Sequence, residues 1–143
     1  MSACTDEQWL AEAQQWAQWD VNAATKAQVQ QLVAARDVPR IRELFGSRVA
    51  FGTAGLRAVM GPGPAAMNDL VVIQASQGIC KYLMQQFGEQ AKTMGVALGY
   101  DHRQQGSLSS KRFAELTAAV CVHYGIKVYL YEGFVATPLV VSG

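Results

Sequence analysis

Residue types suited to holding a phosphate occur together between Gly52 and Arg57. Gly52 and Gly55 lack side chains, so the backbone there can approach an anion closely. Thr53 offers a hydroxyl and an amide, and Arg57 can grip a phosphate with a fork of donors. The same pattern is also typical of a tight turn followed by an exposed arginine, and both interpretations stay open on spacing alone. The spacing of the glycines fits neither a Walker loop nor a GxGxxG fingerprint.

A second candidate for anion binding is the run Asp101-His102-Arg103. It follows a predicted strand, where an aspartate can orient an arginine that faces a bound anion. A solvated loop would show the same residues. His102 is a weak candidate, because the chain's other histidine, His123, does not complete a metal site or a catalytic triad with it.

We find no catalytic nucleophile and no metal site in the sequence. Ser107, Ser109 and Ser110 directly precede a predicted helix, and helix capping explains such hydroxyls. No DxD-like group of carboxylates is present, although magnesium prefers clustered oxygen ligands. We therefore predict no catalytic residue and no metal ligand in this chain.

The segments that would position the candidate residues are predicted to form a strand, a helix and a second strand. Val96 to Tyr100 and Ile126 to Tyr131 are apolar strand candidates, and a helix from about Ser109 to Tyr124 separates them. The predicted buried face of this helix comprises Phe113, Leu116, Val120 and Tyr124. Short connections between such elements favour a parallel βαβ unit, so we predict an α/β fold with a mixed, partly parallel sheet covered by helices. Ligands of such sheets meet the loops after the strands, here residues 101–107 and 132–138.

Two further elements precede this unit. Arg48 to Phe51 is a short strand candidate that leads into the glycine-containing segment. A helix is predicted to begin at Asn68 or Asp69 and to end near Gly88. Its predicted inner face comprises Val72, Ser76, Ile79, Leu83 and Phe87.

We predict that residues 1–45 form a helical N-terminal arm and that residues 46–143 form the α/β domain. Thr5 and Gln8 form a capping-box pattern for a first helix, and two more helices are predicted at about 25–36 and 39–46. The arm is thin, so we expect no separate core in it. Its tryptophans should pack on the following domain or on other parts of the protein, with a ligand-stacking surface as the alternative. These tryptophans are Trp9, Trp16 and Trp19.

Composition excludes several classes of function. The 143 residues are 50% apolar and carry 12 basic and 11 acidic side chains, so neither nucleic acid nor an anionic membrane is an expected partner. No signal peptide and no membrane-spanning run is recognisable. Three cysteines without a CxxC pair are typical of reduced thiols, so we expect a cytoplasmic protein in which Cys80 and Cys121 are core residues.

Several motifs together resemble one enzyme family. They are Phe51 to Arg57, Met60-Gly61-Pro62-Gly63, Met67 to Leu70, Asp101-x-Arg103, Ser110 to Phe113, Gly125 to Leu130 and Thr137-Pro138. The N-terminal Trp16-x-x-Trp19-Asp20-x-Asn22 with Thr25 fits the same pattern. The chain is similar to the opening of the alpha-D-phosphohexomutases, in the branch of phosphoglucomutase-2 and glucose 1,6-bisphosphate synthase.

The resemblance implies a four-domain enzyme in which a phosphoserine exchanges its phosphoryl group with a sugar phosphate. It implies Mg²⁺ and glucose 1,6-bisphosphate as cofactors of the full-length family, and a hexose or pentose 1-phosphate as the partner. The phosphate-binding residues that it implies in this chain are Thr53, Gly55, Arg57, Asp101 and Arg103. Glucose mutase, pentose mutase and bisphosphate synthase activities all fit it.

The family's serine loop is not found, since no His-Asn-Pro follows Ser142. We therefore expect an incomplete first domain that binds no cofactor and is inactive by itself. The alternative is a non-catalytic short form that acts as a binding or regulatory module. A nucleotide-binding α/β domain is disfavoured, because its glycine fingerprint is missing.

Overall fold

The computed structural model describes residues 5–49, 51–52, 55–56, 58–100 and 103–130, and gives residues 51, 52, 55 and 56 through their backbone. The chain divides into two compact units, the first ending at Val71 and the second beginning at Val72. The elements are α1 Asp6–Trp19, α2 Ala23–Ala34, α3 Val38–Phe45, β1 Phe51–Gly52, β2 Gly55–Leu56, α4 Asp69–Phe87, α5 Gln90–Met94, β3 Val96–Leu98, β4 Gln104–Gln105, β5 Leu108–Ser109, α6 Ser110–His123 and β6 Val128–Leu130.

The helices of the first unit begin where capping residues occur in the sequence. The predicted capping box is present, because the Thr5 hydroxyl accepts the Gln8 amide at 3.2 Å and the Gln8 side chain accepts the Thr5 amide at 2.7 Å. Asn22 caps α2, so this helix begins two residues earlier than predicted. Asp37 caps α3, which ends before Gly46 as predicted.

The three N-terminal helices share a core, and the prediction that they would have none is wrong. Trp16 is buried in this core and packs edge-to-face against Phe45, with the ring centroids 5.8 Å apart. Three helices facing one another, together with Leu70 of α4, supply the apolar surface of this core. Trp19, in contrast, is 57% exposed, so the described residues leave more than half of it uncovered. The buried members are Leu10, Ala13, Trp16, Ala17, Val29, Val38, Ile41, Phe45 and Leu70.

The second unit contains the predicted parallel pair. Strand β3 pairs with β6 from Val96 opposite Val128 to Leu98 opposite Leu130. Strand β3 is shorter than predicted, and β6 begins two residues later than predicted, at Val128. The connection between them includes α6, which begins after Ser109, whose hydroxyl accepts the Arg112 amide at 3.1 Å. The α/β fold class is thereby confirmed.

The core of the second unit lies where α4 meets α6. Cys80 and Cys121 are buried with their sulfurs 3.6 Å apart, and Ser76 donates a 2.9 Å hydrogen bond to Thr117. The prediction that both cysteines are core residues is confirmed. The predicted inner face of α4 is partly wrong, since Ile79 is 43% exposed and Cys80 takes the buried position. Phe87 is likewise exposed, because the helix turns its Ser76 and Cys80 side toward α6.

Candidate phosphate-binding site

The first candidate segment contains an antiparallel strand pair. Phe51 pairs with Leu56, and Gly52 pairs with Gly55. The predicted strand was longer on its N-terminal side, but Arg48 and Val49 have no strand conformation. Gly55 therefore belongs to a strand, not to an irregular loop. Thr53 and Arg57 lie outside the described residues.

The pairing of two glycines leaves this end of the strand pair without side chains. A glycine adds no side chain above the peptide plane, so a ligand can come close to the backbone amides there. Anions bind well to backbone amides that are exposed, and a nearby arginine strengthens such a site. Anion binding by this segment stays a prediction, since only the backbone pairing of Gly52 with Gly55 is described there.

The residues that follow this pair contact the chain on either side of it. The amide of Val49, before β1, donates to the carbonyl of Pro64 at 2.9 Å. The amide of Met67 donates to the carbonyl of Val59, after β2, at 2.8 Å. The glycine- and proline-rich segment from 61 to 67 is therefore an ordered loop that contacts the chain on both sides of the candidate segment.

Asn68 holds this loop together. Its side chain is fully buried, and its Nδ2 donates to the carbonyls of Gly61 at 2.9 Å and Gly63 at 2.7 Å. Its Oδ1 accepts the amide of Val71 at 3.0 Å, which caps α4 as predicted. Sequence reasoning identified the cap but missed the role in the loop. The available signal was an asparagine placed directly after a glycine- and proline-rich segment.

A buried polar network joins the N-terminal arm to the start of α4. The side-chain amide of Asn22 donates to the carboxylate of Asp69 at 3.1 Å. Asp20 accepts the backbone amide of Asn22 at 3.0 Å and the hydroxyl of Thr25 at 2.5 Å. All four side chains are buried. The resemblance included three of these residues as a motif, but their contact with Asp69 was not predicted.

The second candidate segment is only partly described, because Asp101 and His102 lie outside the described residues. Arg103 is exposed and immediately precedes a hairpin in which Gln104 pairs with Ser109. The carbonyl of Arg103 accepts the Ser110 amide at 3.0 Å. The prediction of a plain loop is therefore wrong at β4, where backbone pairing across Gly106, with φ of 57°, orders the chain.

Of the five predicted phosphate-binding residues, Gly55 and Arg103 are described. Gly55 belongs to the first unit and Arg103 to the second. Within the described ranges, no three histidine, cysteine, aspartate or glutamate side chains come together as metal ligands. No helix in the described part of the chain has the length and apolar character needed to cross a membrane.

Comparison with known proteins gives several close relatives. The chain is 45% identical to human phosphopentomutase over 131 residues, which is 90% of this chain and 21% of that protein. It is 45% identical over 128 residues to mouse glucose 1,6-bisphosphate synthase, covering 88% of this chain and 20% of that protein. A probable phosphoribomutase of Schizosaccharomyces pombe is 44% identical over 126 residues, covering 88% of this chain and 21% of that protein.

The matches also show what fraction of each relative's length the chain covers. It spans about a fifth of the length of the curated relatives it matches. No solved structure gives a significant match. Residues 48–142 match the family described as phosphoglucomutase/phosphomannomutase, alpha/beta/alpha domain I. With the glycine strand pair, the parallel βαβ unit and these relatives in agreement, the chain belongs to the phosphoglucomutase/phosphomannomutase family.

Proposed function

We propose that this chain supplies the first α/β domain of an enzyme that moves a phosphoryl group between position 1 and position 6, or 5, of a sugar. The reaction would pass through a phosphoserine and a sugar bisphosphate. The observation that carries the proposal is the family match over residues 48–142, which includes the paired glycines Gly52 and Gly55. The substrate class is a hexose or pentose 1-phosphate, since the matched relatives are named for both kinds of sugar phosphate chemistry.

In this proposal the chain binds and orients phosphate. Thr53 and the backbone at Gly55 would donate to phosphate oxygens, and Arg57 would neutralise their charge with a bidentate contact. Asp101 would orient Arg103 toward an anion. In phosphoryl transfer the protein contributes mainly positioning and charge stabilisation, so such residues affect the rate without forming a covalent bond.

The reacting serine has no counterpart here, because the sequence contains no serine followed by His-Asn-Pro. Mg²⁺ and glucose 1,6-bisphosphate are proposed for the complete enzyme. Magnesium would stabilise charge on the transferred phosphoryl group when bound. The described residues do not group the carboxylates that a magnesium ion needs, so we assign it no ligands among them. The chain alone is proposed to be inactive.

A non-catalytic binding or regulatory module is the second candidate. Large apolar side chains on the described surface favour it, namely Trp19, Ile79, Tyr82, Phe87 and Met94. Such surface is also what a domain presents to neighbouring domains of one enzyme. If the chain is such a module, it should bind a protein partner. Substitutions at Arg57 and Arg103 should then leave that binding unchanged.

A chimera distinguishes the two candidates. This chain would replace the matched 131-residue segment of human phosphopentomutase, and turnover of ribose 1-phosphate and glucose 1-phosphate would be measured with Mg²⁺ and a trace of glucose 1,6-bisphosphate. We expect turnover by the chimera, none by the isolated chain, and a loss of about 100-fold with Arg57→Ala, which removes a charged phosphate contact. Lys111→Ala is the control, since Lys111 is exposed and outside the proposed site. A folded chimera without turnover, or an Arg57→Ala chimera with full turnover, would contradict the proposal.

A further inference from the structure

One loop contacts the described residues on both sides of the candidate phosphate-binding segment. Val49 precedes the strand pair, and its amide donates to the carbonyl of Pro64. Val59 follows the pair, and its carbonyl accepts the amide of Met67. Because both contacts involve the loop from 61 to 67, the shape of that loop constrains where Val49 and Val59, which flank the segment, lie.

Buried carbonyls without donors are costly. In this loop the Gly63 carbonyl accepts the Ala66 amide at 3.3 Å and is joined by a closer side-chain partner. Asn68 supplies that partner, because the two hydrogens of its Nδ2 can serve the carbonyls of Gly61 and Gly63 at 2.9 and 2.7 Å. Gly63 has φ of 95°, a conformation that glycine adopts readily. A Cβ at Gly63 would lie 2.8 Å from the carbonyl oxygen of Leu44, so the loop also lies tightly against α3.

Asn68 combines two tasks in a single buried side chain. The amide nitrogen orders the loop, and the oxygen caps α4 by accepting the Val71 amide. A serine in this position could still cap the helix but is too short to reach both carbonyls. An aspartate could also cap the helix, but it would place carboxylate oxygens against carbonyl oxygens.

From this arrangement we propose that Asn68 is a positioning residue for the phosphate-binding segment that contains Gly52 and Gly55. It acts through the loop from 61 to 67 and does not touch the phosphate. The role of the segment rests on the function proposed above, whereas the mechanical coupling of Asn68 to Val49 and Met67 does not.

The test uses the 143-residue chain and the variant Asn68→Ser, which retains a capping hydroxyl. Amide hydrogen exchange would be followed at Val49 and Met67, which donate the two contacts that hold the segment. We expect exchange at both amides to accelerate by about tenfold or more, with the amides of α1 and α2 unchanged. Val29→Ala is the matched control, because it removes a fully buried side chain from the core of the same unit without touching the loop. It should accelerate exchange in the helices first.

A second readout concerns the ligand. Inorganic phosphate and glucose 1-phosphate would each be titrated while the amide shifts of Gly52 and Gly55 are recorded by NMR. We expect saturable shifts in the wild-type chain and in Val29→Ala, and binding weakened by about tenfold in Asn68→Ser, because a displaced site loses part of its hydrogen bonding. Asn68→Asp, which also lacks the donor, should weaken binding at least as much.

The outcomes separate the two claims. If exchange at Val49 and Met67 is the same in Asn68→Ser and in the wild-type chain, the positioning role is wrong. If exchange accelerates as expected but the wild-type chain shows no response to either phosphate, the coupling is confirmed and the proposed phosphate site is contradicted. If Asn68→Ser unfolds, the same two amides are measured in Asn68→Asp, and unchanged exchange there also overturns the proposal.

Discussion

The side-chain amide of Asn22 donates a 3.1 Å hydrogen bond to the carboxylate of Asp69, a residue 47 positions later in the chain. Both side chains are buried. Asn22 belongs to the arm that precedes the matched family domain, whereas Asp69 begins α4 within it. The arm is therefore joined to the family domain by a specific polar contact as well as by apolar packing on Leu70.

The Asn22–Asp69 contact can be tested with Asn22→Asp. The new carboxylate keeps the cap on Ala24 and Thr25 but cannot donate to Asp69, and it places like charges together in a buried site. We expect the free energy of unfolding at pH 7 to fall by about 2 to 4 kcal/mol. Acidification should reduce this loss, because protonating one carboxyl removes the repulsion and restores a donor.

Urea unfolding at pH 7 and pH 5 measures both effects. Asp37→Asn is the control, since it changes one charge at the exposed cap of α3 and should alter stability by no more than about 0.5 kcal/mol. A small loss for Asn22→Asp would mean that the contact does not matter for stability, and a loss that is equal at the two pH values would mean that charge repulsion is not its cause.

Gly95 is predicted to tolerate no side chain. Its φ is 74°, and a Cβ would lie 2.6 Å from the carbonyl oxygen of Lys127, which accepts the amide of Val96 at 2.8 Å. Gly95→Ala should therefore cost about 2 to 4 kcal/mol, from backbone strain plus displacement of β6. Gly88→Ala is the control, because Gly88 has φ of 57° but open space around it, and strain alone costs about 1 kcal/mol. Equal melting temperatures for the two variants would contradict the crowding at Gly95.

Trp16 and Trp19 lie on the same helix but differ in burial. Trp16→Ala should destabilise the chain by about 3 to 5 kcal/mol, because it opens a cavity against Phe45. Trp16→Phe should cost much less, since it retains an aromatic ring and removes a buried indole N–H that has no hydrogen-bond partner in the described structure. Trp19→Ala is the control and should lie within about 0.5 kcal/mol of wild type. Chemical unfolding followed by circular dichroism gives all three values, and a large effect of Trp19→Ala would show that its ring is covered in solution.

Burial raises the pKa of the Cys121 thiol from 9.0 to about 12, and the neighbouring Cys80 adds to the effect. The unfolded chain loses this proton near pH 9, whereas the folded chain keeps it. The contribution of the Cys121 thiol to the free energy of unfolding is therefore complete below pH 9. It is lost as the pH rises from 9 toward 12, with a slope of at most about 1.4 kcal/mol per pH unit.

Unfolding free energies measured between pH 8 and pH 11 check this expectation. In Cys121→Ala, the free energy of unfolding should fall less at alkaline pH, because the contribution of this thiol is missing. Alkylation of Cys121 by iodoacetamide should also be much slower in the native chain than in urea, because the thiolate is the reactive form. Equal alkylation rates in the two conditions would show that the thiol is not protected.

The local elements could largely be predicted from the sequence, because their signals lie within a few residues. The capping box of Thr5 and Gln8, the cap at Asn68 and the helix stop at Gly125 all depend on neighbouring backbone groups. The parallel pairing of β3 and β6 also followed from the order of strand, helix and strand. The motifs around Gly52 and Gly55 are enough to identify the family.

The tertiary structure decided which faces are buried and which distant residues meet. Helical spacing allowed either Ile79 or Cys80 to face inward, and the contact of Cys80 with Cys121 selected the second. The pairing of Asn22 with Asp69, and the reach of Asn68 to two loop carbonyls, depend on chain segments that sequence spacing does not place. The sequence by itself determined the elements and the family, because short-range backbone chemistry and motif identity are written along the chain. Only the fold determined how the candidate phosphate segment is supported, because that support comes from buried hydrogen bonds between residues brought together in space.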